Sequence, residues 1–256
     1  MGSLTSVGFS GSGATDVGRV RPDNQDAFFL SEQLGLAVVS DGMGGAPAGD
    51  LASRIAIEQV AVEIGGGGRQ RWSPWDPDRV HSLLGDAIES AHMEIRRHGS
   101  VHPEDAGLGA TVTVLLADAE TGRYAVGHIG DSRAYLLRRG VFTQLTRDDT
   151  LLQEHVEDGR IPARAASRHP FGHILSQVLG MSEGVSPQVL EDALEAGDQF
   201  FLCSDGVTAV LNDREIGEML VRGRIWPPDT VVRAFIETVN ERGGPDNATA
   251  VLLRRG

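Results

Sequence analysis

Five aspartates stand at the ends of apolar runs in this sequence: Asp26, Asp41, Asp131, Asp205 and Asp246. A single aspartate beside a glycine is ordinarily a turn residue, but the triplet Ser-Asp-Gly occurs twice, each time after an apolar run. Strands buried in one core can bring distant ends together, and carboxylates at one place repel each other unless a cation balances them. Because oxygen ligands favour hard ions, the pattern indicates a site for Mg²⁺ or Mn²⁺.

The basic residues and the single cysteine exclude several kinds of enzyme. All 23 basic residues are arginine, whereas a Walker A loop, a protein kinase and a Schiff-base enzyme each need a lysine. A cysteine-dependent phosphatase would need the pattern C-x5-R, but the residue six positions after Cys203 is Ala209. We therefore expect Cys203 to be a small core residue.

Composition sets the class of the protein. The chain has 256 residues, of which 40% are hydrophobic and 23% charged, as in an ordinary soluble protein, and we expect one domain over residues 1–256. No apolar run approaches the roughly 20 residues of a membrane span, so the sequence predicts a cytoplasmic protein. The net charge of −13 argues against nucleic acid, whose phosphates need a basic surface. We expect a monomer that binds neither membranes nor nucleic acid.

The apolar pattern also predicts the elements that must position the aspartates. Predicted helices cover 48–64, 77–95, 213–221 and 229–241, and predicted strands cover 27–30, 35–39, 110–117, 123–129, 132–137, 141–145, 199–203 and 247–253. Short turns between 110 and 145 predict an antiparallel meander. The glycine-rich segment 11–18 is interpreted as a loop, and 146–184 as a polar excursion from the sheet. Strands in runs and helices in pairs are typical of an antiparallel α+β fold.

Six short motifs follow one another along nearly the whole chain. They are Arg-Pro-Asp-Asn-Gln-Asp at 21–26, Ser-Asp-Gly-Met-Gly-Gly at 40–45, Gly-Ala-Thr at 109–111, Gly-Asp-Ser-Arg-Ala at 130–134, Cys-Ser-Asp-Gly at 203–206 and Gly-Pro-Asp-Asn-Ala-Thr at 244–249. In this order they resemble the metal-dependent serine/threonine phosphatases called protein phosphatase 2C, in their bacterial branch. The resemblance implies two packed antiparallel β-sheets flanked by helices on both outer faces, an α-β-β-α sandwich. It also implies a metal site in a cleft at one end, and a flap at about 146–184 beside that cleft.

The resemblance assigns metal ligands by motif. Asp41 would bridge two ions, Asp205 and Asp246 would complete the first site, and the backbone carbonyl of Gly42 would serve the second. Asp131, together with Asp205, would bind a third ion. The implied cofactors are therefore two Mn²⁺ or Mg²⁺ ions and a third at a further site.

Two more residues receive catalytic roles from the resemblance. Asp26 would hold metal-bound water, and Arg21 would bind the substrate phosphate, for which the planar guanidinium offers a bidentate grip. Two divalent ions can deprotonate a bridging water near neutral pH and screen the phosphoryl oxygens. The expected reaction is hydrolysis of phosphoserine and phosphothreonine in proteins by a metal-bridging hydroxide. Its partners would be phosphorylated proteins and the bacterial serine/threonine kinase whose action it reverses.

Four positions depart from the family pattern. Gln25 stands where many relatives have glutamate, which removes one charge near the second metal. Met43 and Ala46 stand where eukaryotic and bacterial relatives, respectively, have histidines, and Asp149 stands where a flap histidine is common. The residue that protonates the leaving group is therefore open.

Two other functions remain as alternatives. A catalytically weak module of the same fold could bind phosphoproteins and regulate, although the presence of all five aspartates argues against it. A metal phosphoesterase for nucleotides or other small phosphates is less favoured, because no base-stacking pocket can be recognised in a chain with three tryptophans.

Overall fold

The computed structural model describes residues 8–44, 48–105, 107–162, 172, 174–181 and 184–256. Its strands are β1 Phe9–Asp16, β2 Asp26–Ser31, β3 Leu36–Met43, β4 Gly109–Ala110, β5 Val112–Asp118, β6 Arg123–Ile129, β7 Arg133–Arg138, β8 Val141–Gln144, β9 Gln188–Ala193, β10 Gln199–Cys203 and β11 Ala248–Arg255. Its α-helices are α1 Ala48–Gly65, α2 Pro77–Val101, α3 Leu151–Glu157, α4 Asp205–Thr208, α5 Asp213–Gly223 and α6 Pro228–Glu241.

The strands form two antiparallel sheets. The first sheet has the strand order β1-β11-β10-β7-β8, and the second has the order β2-β3-β5-β6-β9, with β4 paired to β3. Helices α1 and α2 cover the outer face of the second sheet, and α5 and α6 cover the outer face of the first. The predicted α-β-β-α sandwich is therefore confirmed.

Alternation along the strands builds three apolar layers. Val38 of β3 packs toward α1 and α2, whereas its neighbour Val39 lies in the layer between the two sheets. In β10, Phe201 packs toward α5 and α6 and Phe200 lies between the sheets. This is the two-residue period of a strand with both faces covered. Cys203, also in β10, is buried as predicted.

The predicted helices are present, with ends that differ by a few residues. Helix α2 begins at the predicted residue, Pro77, because the side chain of the preceding Asp76 accepts a hydrogen bond of 2.9 Å from the backbone N–H of Arg79. The helix continues to Val101, beyond the predicted end at residue 95. No helix in the described ranges is both long and apolar enough to cross a bilayer.

The prediction of a loop at 11–18 is wrong, because most of this segment belongs to the edge strand β1. Glycine lowers strand propensity, which hid the strand from the sequence pattern. The structure supplies the reason for one of these glycines: a Cβ on Gly13 would lie 2.4 Å from the ring of Phe28 in the opposite sheet. Close approach of the two sheets at this edge requires a residue without a side chain.

The predicted single meander is also wrong. Hairpins β5–β6 and β7–β8 form as expected, but β6 lies in the second sheet and β7 in the first. The chain changes sheet at Gly130, whose φ of +107° suits a glycine. Strand β9 was not predicted either, since its acidic and partly exposed residues mask the apolar pattern. The change of sheet places Asp131 at the end of the sandwich, between the two layers.

Candidate metal centre

Asp26 and Asp41 are direct partners across the β2–β3 ladder. Asp26 is 7% exposed, and one of its oxygens, Oδ2, lies 2.6 Å from the Ser204 hydroxyl and 2.7 Å from the Thr249 hydroxyl. The other oxygen, Oδ1, is buried and has no hydrogen-bond partner among the described residues. Burial, with the nearby charge of Asp205, raises the pKa of Asp26 to about 7.

Asp41 is held through its backbone by the motif at 109–111. Its N–H donates to the Thr111 hydroxyl at 3.0 Å, and its carbonyl accepts from the Thr111 N–H at 2.8 Å. The same hydroxyl lies 2.8 Å from the hydroxyl of Ser132, which follows Asp131. Burial, and then the carboxylate of Asp26, raise the pKa of Asp41 well above its ordinary value of 3.8. Asp205 lies within hydrogen-bonding reach of Asp41 and adds to this effect.

Asp205 begins the short helix α4, directly after β10. A Cβ on Gly206 would lie 1.9 Å from the backbone oxygen of Asn247, so α4 touches the chain just before β11 and brings Asp205 near Asp246. The Asn247 side chain accepts a hydrogen bond of 2.9 Å from the backbone N–H of Gln25. It also donates to the backbone carbonyls of Val17 and Asp23, which lie between β1 and β2. This asparagine thus ties the motif at 21–26 to the motif at 244–249.

Asp131 lies in the turn between β6 and β7. Burial, with the charge of Asp205, raises the pKa of Asp131 to about 8. The preceding residue, Gly130, donates its N–H to Asp149 Oδ2 at 3.0 Å, and its carbonyl accepts from the Asp149 N–H at 2.7 Å. Asp26, Asp41, Asp131 and Asp205 therefore influence one another electrostatically at one end of the sandwich, and the charge of Asp246 also raises the pKa of Asp26.

The fifth acid, Asp246, lies at the same end and is paired with Arg21. Arg21 Nη2 lies 2.8 Å from Asp246 Oδ2, with 55% of the arginine side chain and 32% of the aspartate side chain exposed. This hydrogen bond, assisted by the charges of Asp205 and Asp41, raises the pKa of Arg21. The guanidinium group thus lies at the open edge of the cluster, where an anion could reach it.

Gly42 follows Asp41 in β3 and pairs with Ala110 of β4. Its N–H donates to the backbone carbonyl of Gln25 at 3.1 Å, which joins β3 to the motif at 21–26. The role of its carbonyl as a metal ligand stays a prediction.

The chemistry of these donors fits a hard divalent cation. Carboxylates that raise one another's pKa, and a buried Asp26 oxygen that accepts no hydrogen bond, both favour a positive charge among them. Within the described ranges, no group of three or more His, Cys, Asp or Glu side chains is already arranged to hold a metal ion. An open set of carboxylates suits Mg²⁺ or Mn²⁺, since such ions keep several water ligands.

The described part of the predicted flap begins and returns beside the cluster. It carries α3, whose N-terminus is capped by Thr150, and its return joins Ala110 through reciprocal backbone hydrogen bonds with Leu179 at 2.9 and 3.2 Å. Met43 is partly buried in β3 beside Gly109. Ala46, one of the positions that lack a histidine, lies outside the described residues.

Several residues that build the cluster were not singled out from the sequence. Ser204, Thr249 and Asn247 hold the acids, although each stands inside a recognised motif and could have been found there. Asp149 was noted only as a departure, and its partner Gln188 carries no sequence signal at all.

Comparisons with known proteins agree with this geometry. The profile of the family described as Protein phosphatase 2C matches residues 19–252. The serine/threonine protein phosphatase PstP of Mycobacterium tuberculosis is 34% identical over 242 residues, which cover 93% of this chain and 43% of PstP, so the chain spans less than half of that relative. The serine/threonine phosphatase stp of Listeria innocua is 31% identical over 245 residues, covering 94% of each protein.

Solved structures share the fold. The crystal structure of the M. tuberculosis phosphatase PstP superposes with a TM-score of 0.84 at 32% identity, covering 97% of this chain and 99% of the other. The PstP catalytic domain in complex with two manganese ions gives 0.82 at 31% identity, covering 96% and 98%. The serine/threonine phosphatase of S. agalactiae gives 0.86 at 28% identity, covering 97% and 100%. This chain belongs to the protein phosphatase 2C family, in the bacterial branch of metal-dependent serine/threonine protein phosphatases.

Proposed function

We propose that this protein hydrolyses phosphoserine and phosphothreonine in proteins and thereby reverses the action of a bacterial serine/threonine kinase. The observation that supports it most is the cluster of mutually repelling carboxylates at one end of the sandwich, with an unpartnered buried oxygen on Asp26 and an exposed arginine at its edge. When bound, two Mn²⁺ or Mg²⁺ ions supply a water that is deprotonated near neutral pH and positive charge that screens the phosphoryl oxygens.

The protein groups divide the remaining work. Asp41, Asp205 and Asp246 would hold the two core ions together with the carbonyl of Gly42, and Asp131 would contribute to a third site. Each of these acids comes from a different strand end or turn, and the sandwich holds them by backbone hydrogen bonds. The sandwich therefore fixes the backbone positions from which these side chains would reach the ions.

Asp26 and Arg21 act on water and substrate. Because the hydroxyls of Ser204 and Thr249 occupy one oxygen of Asp26, its other oxygen is left to accept from water in the site. Arg21, which pairs with Asp246 in this structure, would orient the phosphate by donating two parallel hydrogen bonds. No covalent phosphoenzyme is required.

The wider setting is part of the same proposal. We propose one catalytic domain over residues 1–256 with a flap at 146–184, acting as a monomer in the cytoplasm on phosphorylated proteins. The resemblance to PstP and to the Listeria phosphatases supports the substrate class and leaves the individual kinase open.

Hydrolysis of a phosphothreonine peptide after chelation, with and without added Mn²⁺, tests the function. Activity should vanish in excess chelator and return with Mn²⁺, and Asp41→Asn should lower kcat by roughly a hundredfold or more. Asp229→Asn is the control. This aspartate is exposed on α6, away from the acid cluster, and its side chain accepts a hydrogen bond from Arg233 of the same helix.

Four results would each refute part of the proposal. Full turnover in excess chelator would show that the reaction needs no metal ion. An Asp41→Asn enzyme as active as Asp229→Asn would show that the site lies elsewhere. Faster turnover of nucleotides than of phosphopeptides would favour the small-phosphate alternative, and binding of phosphopeptide without turnover would favour the regulatory module.

A further inference from the structure

We propose that Asp149 is a positioning residue for the metal centre: its buried carboxylate fixes the turn that carries Asp131 and so sets the affinity of the additional cation site. The inference rests on the proposed role of Asp131 as a ligand. Asp149 itself touches neither substrate nor the core ions in this scheme.

The first support is the reciprocal bonding between Asp149 and Gly130. The Gly130 N–H donates to Asp149 Oδ2 at 3.0 Å, and the Asp149 N–H donates to the Gly130 carbonyl at 2.7 Å. Gly130 has a φ of +107°, so its peptide groups have unusual directions that this pair of hydrogen bonds must maintain. Asp131 is the next residue, and the direction of its side chain follows from this turn.

The second support is Gln188, which binds the other carboxylate oxygen of Asp149. Gln188 Nε2 donates to Asp149 Oδ1 at 2.8 Å and to the Arg147 carbonyl at 2.8 Å, while Gln188 Oε1 accepts from the Arg147 N–H at 3.2 Å. Both backbone groups of Arg147 therefore fix which way the amide of Gln188 points. That amide presents an N–H to residue 149, so only an acceptor fits there.

The third support comes from the opposite side of the same turn. His128 Nε2 lies 2.9 Å from the Gly130 carbonyl, and His128 Nδ1 lies 2.9 Å from the Thr113 hydroxyl. A carbonyl only accepts, so Nε2 carries a proton and donates it to Gly130. The Thr113 hydroxyl also donates to the Ser132 carbonyl at 3.1 Å, which links His128 to the residue after Asp131. Burial lowers the pKa of His128. Gly130 is thus held at its N–H by Asp149 and at its carbonyl by both Asp149 and His128.

Packing alone does not explain why the carboxylate of Asp149 is buried. The residue is 1% exposed, and burying a carboxylate is costly unless hydrogen bonds and a cation compensate it. Here the donors are Gly130 and Gln188, and Arg147 Nη1 lies 3.5 Å away. The backbone carbonyl of Asp149 also accepts a hydrogen bond of 2.8 Å from the Ser176 N–H. One residue therefore connects the beginning and the returning end of the flap to the turn that carries Asp131.

Outer residues that orient a metal ligand typically change metal affinity by about 10- to 100-fold when they are removed. Asp149→Ala should therefore weaken the additional Mn²⁺ site by roughly tenfold or more and leave the two core ions unchanged. Asp149→Asn should behave similarly, because its amide would face the N–H of Gln188 if the Gly130 bond is kept. Gln188→Met removes the donor at nearly constant volume and should have a smaller effect in the same direction.

The test counts Mn²⁺ by equilibrium dialysis across a wide concentration range. The variants are Asp149→Ala, Asp149→Asn and Gln188→Met, with Asp131→Ala as the reference for loss of the additional ion. Glu157→Gln is the matched control, because it changes another flap acid, one that pairs with Arg147 at the surface. Amide hydrogen exchange at Gly130, measured without metal, provides a second readout, and its protection should fall in Asp149→Ala and stay unchanged in Glu157→Gln.

The outcomes separate this inference from the proposed function. If Asp131→Ala loses one ion and the Asp149 variants bind Mn²⁺ like wild type, Asp149 is merely structural and the inference is overturned. If Asp131→Ala loses no ion, the proposed ligand role of Asp131 fails and the inference fails with it. Should Asp149→Ala not fold, Gln188→Met decides, and a Mn²⁺ isotherm identical to that of Glu157→Gln would overturn the inference.

Discussion

The carboxylate of Asp26 shows how a residue inside the cluster differs from one at its edge. Its two hydroxyl partners lie on one oxygen, and burial, with the charges of Asp205 and Asp246, raises its pKa to about 7. Arg21 lies at the edge, more than half exposed and paired with Asp246. A buried acid affects both stability and chemistry when it is changed, whereas an exposed arginine can be changed with little effect on the fold.

Arg21→Ala should weaken use of a phosphopeptide and inhibition by inorganic phosphate together, by at least about threefold in KM and in the inhibition constant. Loss of the exposed pair should lower the free energy of unfolding by at most about 1 kcal/mol. Arg233→Ala, which breaks a surface pair on α6, is the control. If the two variants have the same KM, Arg21 is an ordinary surface residue.

The missing histidines at Met43 and Ala46 lead to a prediction about the leaving group. An alkoxide leaving from phosphoserine needs a proton, whereas a nitrophenolate does not, and general acid catalysis is typically worth about 10²- to 10⁴-fold. The protein should therefore favour an aryl phosphate over a phosphopeptide more strongly than a relative with the histidine, and Ala46→His should narrow the gap. Both substrates should be compared across pH. Equal ratios in parent and variant would indicate another donor, such as the flap residue His155.

At the scale of elements, the short helix α4 sets the distance between two of the acids. It begins at Asp205 directly after β10, and its second residue, Gly206, lies against the backbone of Asn247. A helix of four residues gains little from its own hydrogen bonds. Its position is therefore determined by what it packs against, and a change at that contact should move Asp205.

Gly206→Ala should separate α4 from the chain before β11, because the added Cβ would lie 1.9 Å from the Asn247 oxygen. We expect a loss of about 1 to 3 kcal/mol in the free energy of unfolding, together with reduced kcat. Gly85→Ala is the matched control, since nothing lies within 4 Å of its added Cβ in α2. This control should gain about 0.5 to 1 kcal/mol. Urea unfolding and phosphopeptide turnover measure both, and equal stability of the two variants would contradict the close contact.

At the scale of the molecule, the sandwich brings acids together in a chain that already has a net charge of −13. Burial between two sheets raises the pKa of Asp26 to about 7 and of Asp131 to about 8, far above the ordinary value of 3.8. Without metal the fold therefore carries an electrostatic cost at neutral pH, and binding of divalent cations should remove it.

The metal-free protein should lose stability as pH rises from about 4 to about 8. In that window the unfolded chain has released these protons while the folded acids retain them, so the free energy of unfolding falls until the folded groups ionise. Mn²⁺ competes with protons, so its stabilising shift in Tm should be larger at about pH 8 than at about pH 5.5. Thermal unfolding in chelator and in Mn²⁺ measures this. Asp26→Asn should flatten the slope in chelator, and an unchanged slope would contradict the assignment.

Much of the fold was determined locally. The period of apolar residues predicted α2 and most strands of the two sheets, although not β1 and β9. The start of α2 was predictable because periodicity and the Asp76 cap involve residues only a few positions apart. The five acids were also visible as residues at strand ends. The motifs around these acids led to the family assignment, which is confirmed.

Tertiary structure alone decided how these parts combine. The strand β1 could not be recognised, because Gly13 is selected by the distance to Phe28 in another sheet and weakens the local strand pattern. The division of strands between two sheets depends on pairings such as β1 with β11, from opposite ends of the chain. Contacts that hold the acids, such as Asn247 with Gln25 or Asp149 with Gly130, join residues with no sequence relation to one another. Hydrogen bonds across such distances leave no periodic signal, so only the folded chain reveals them.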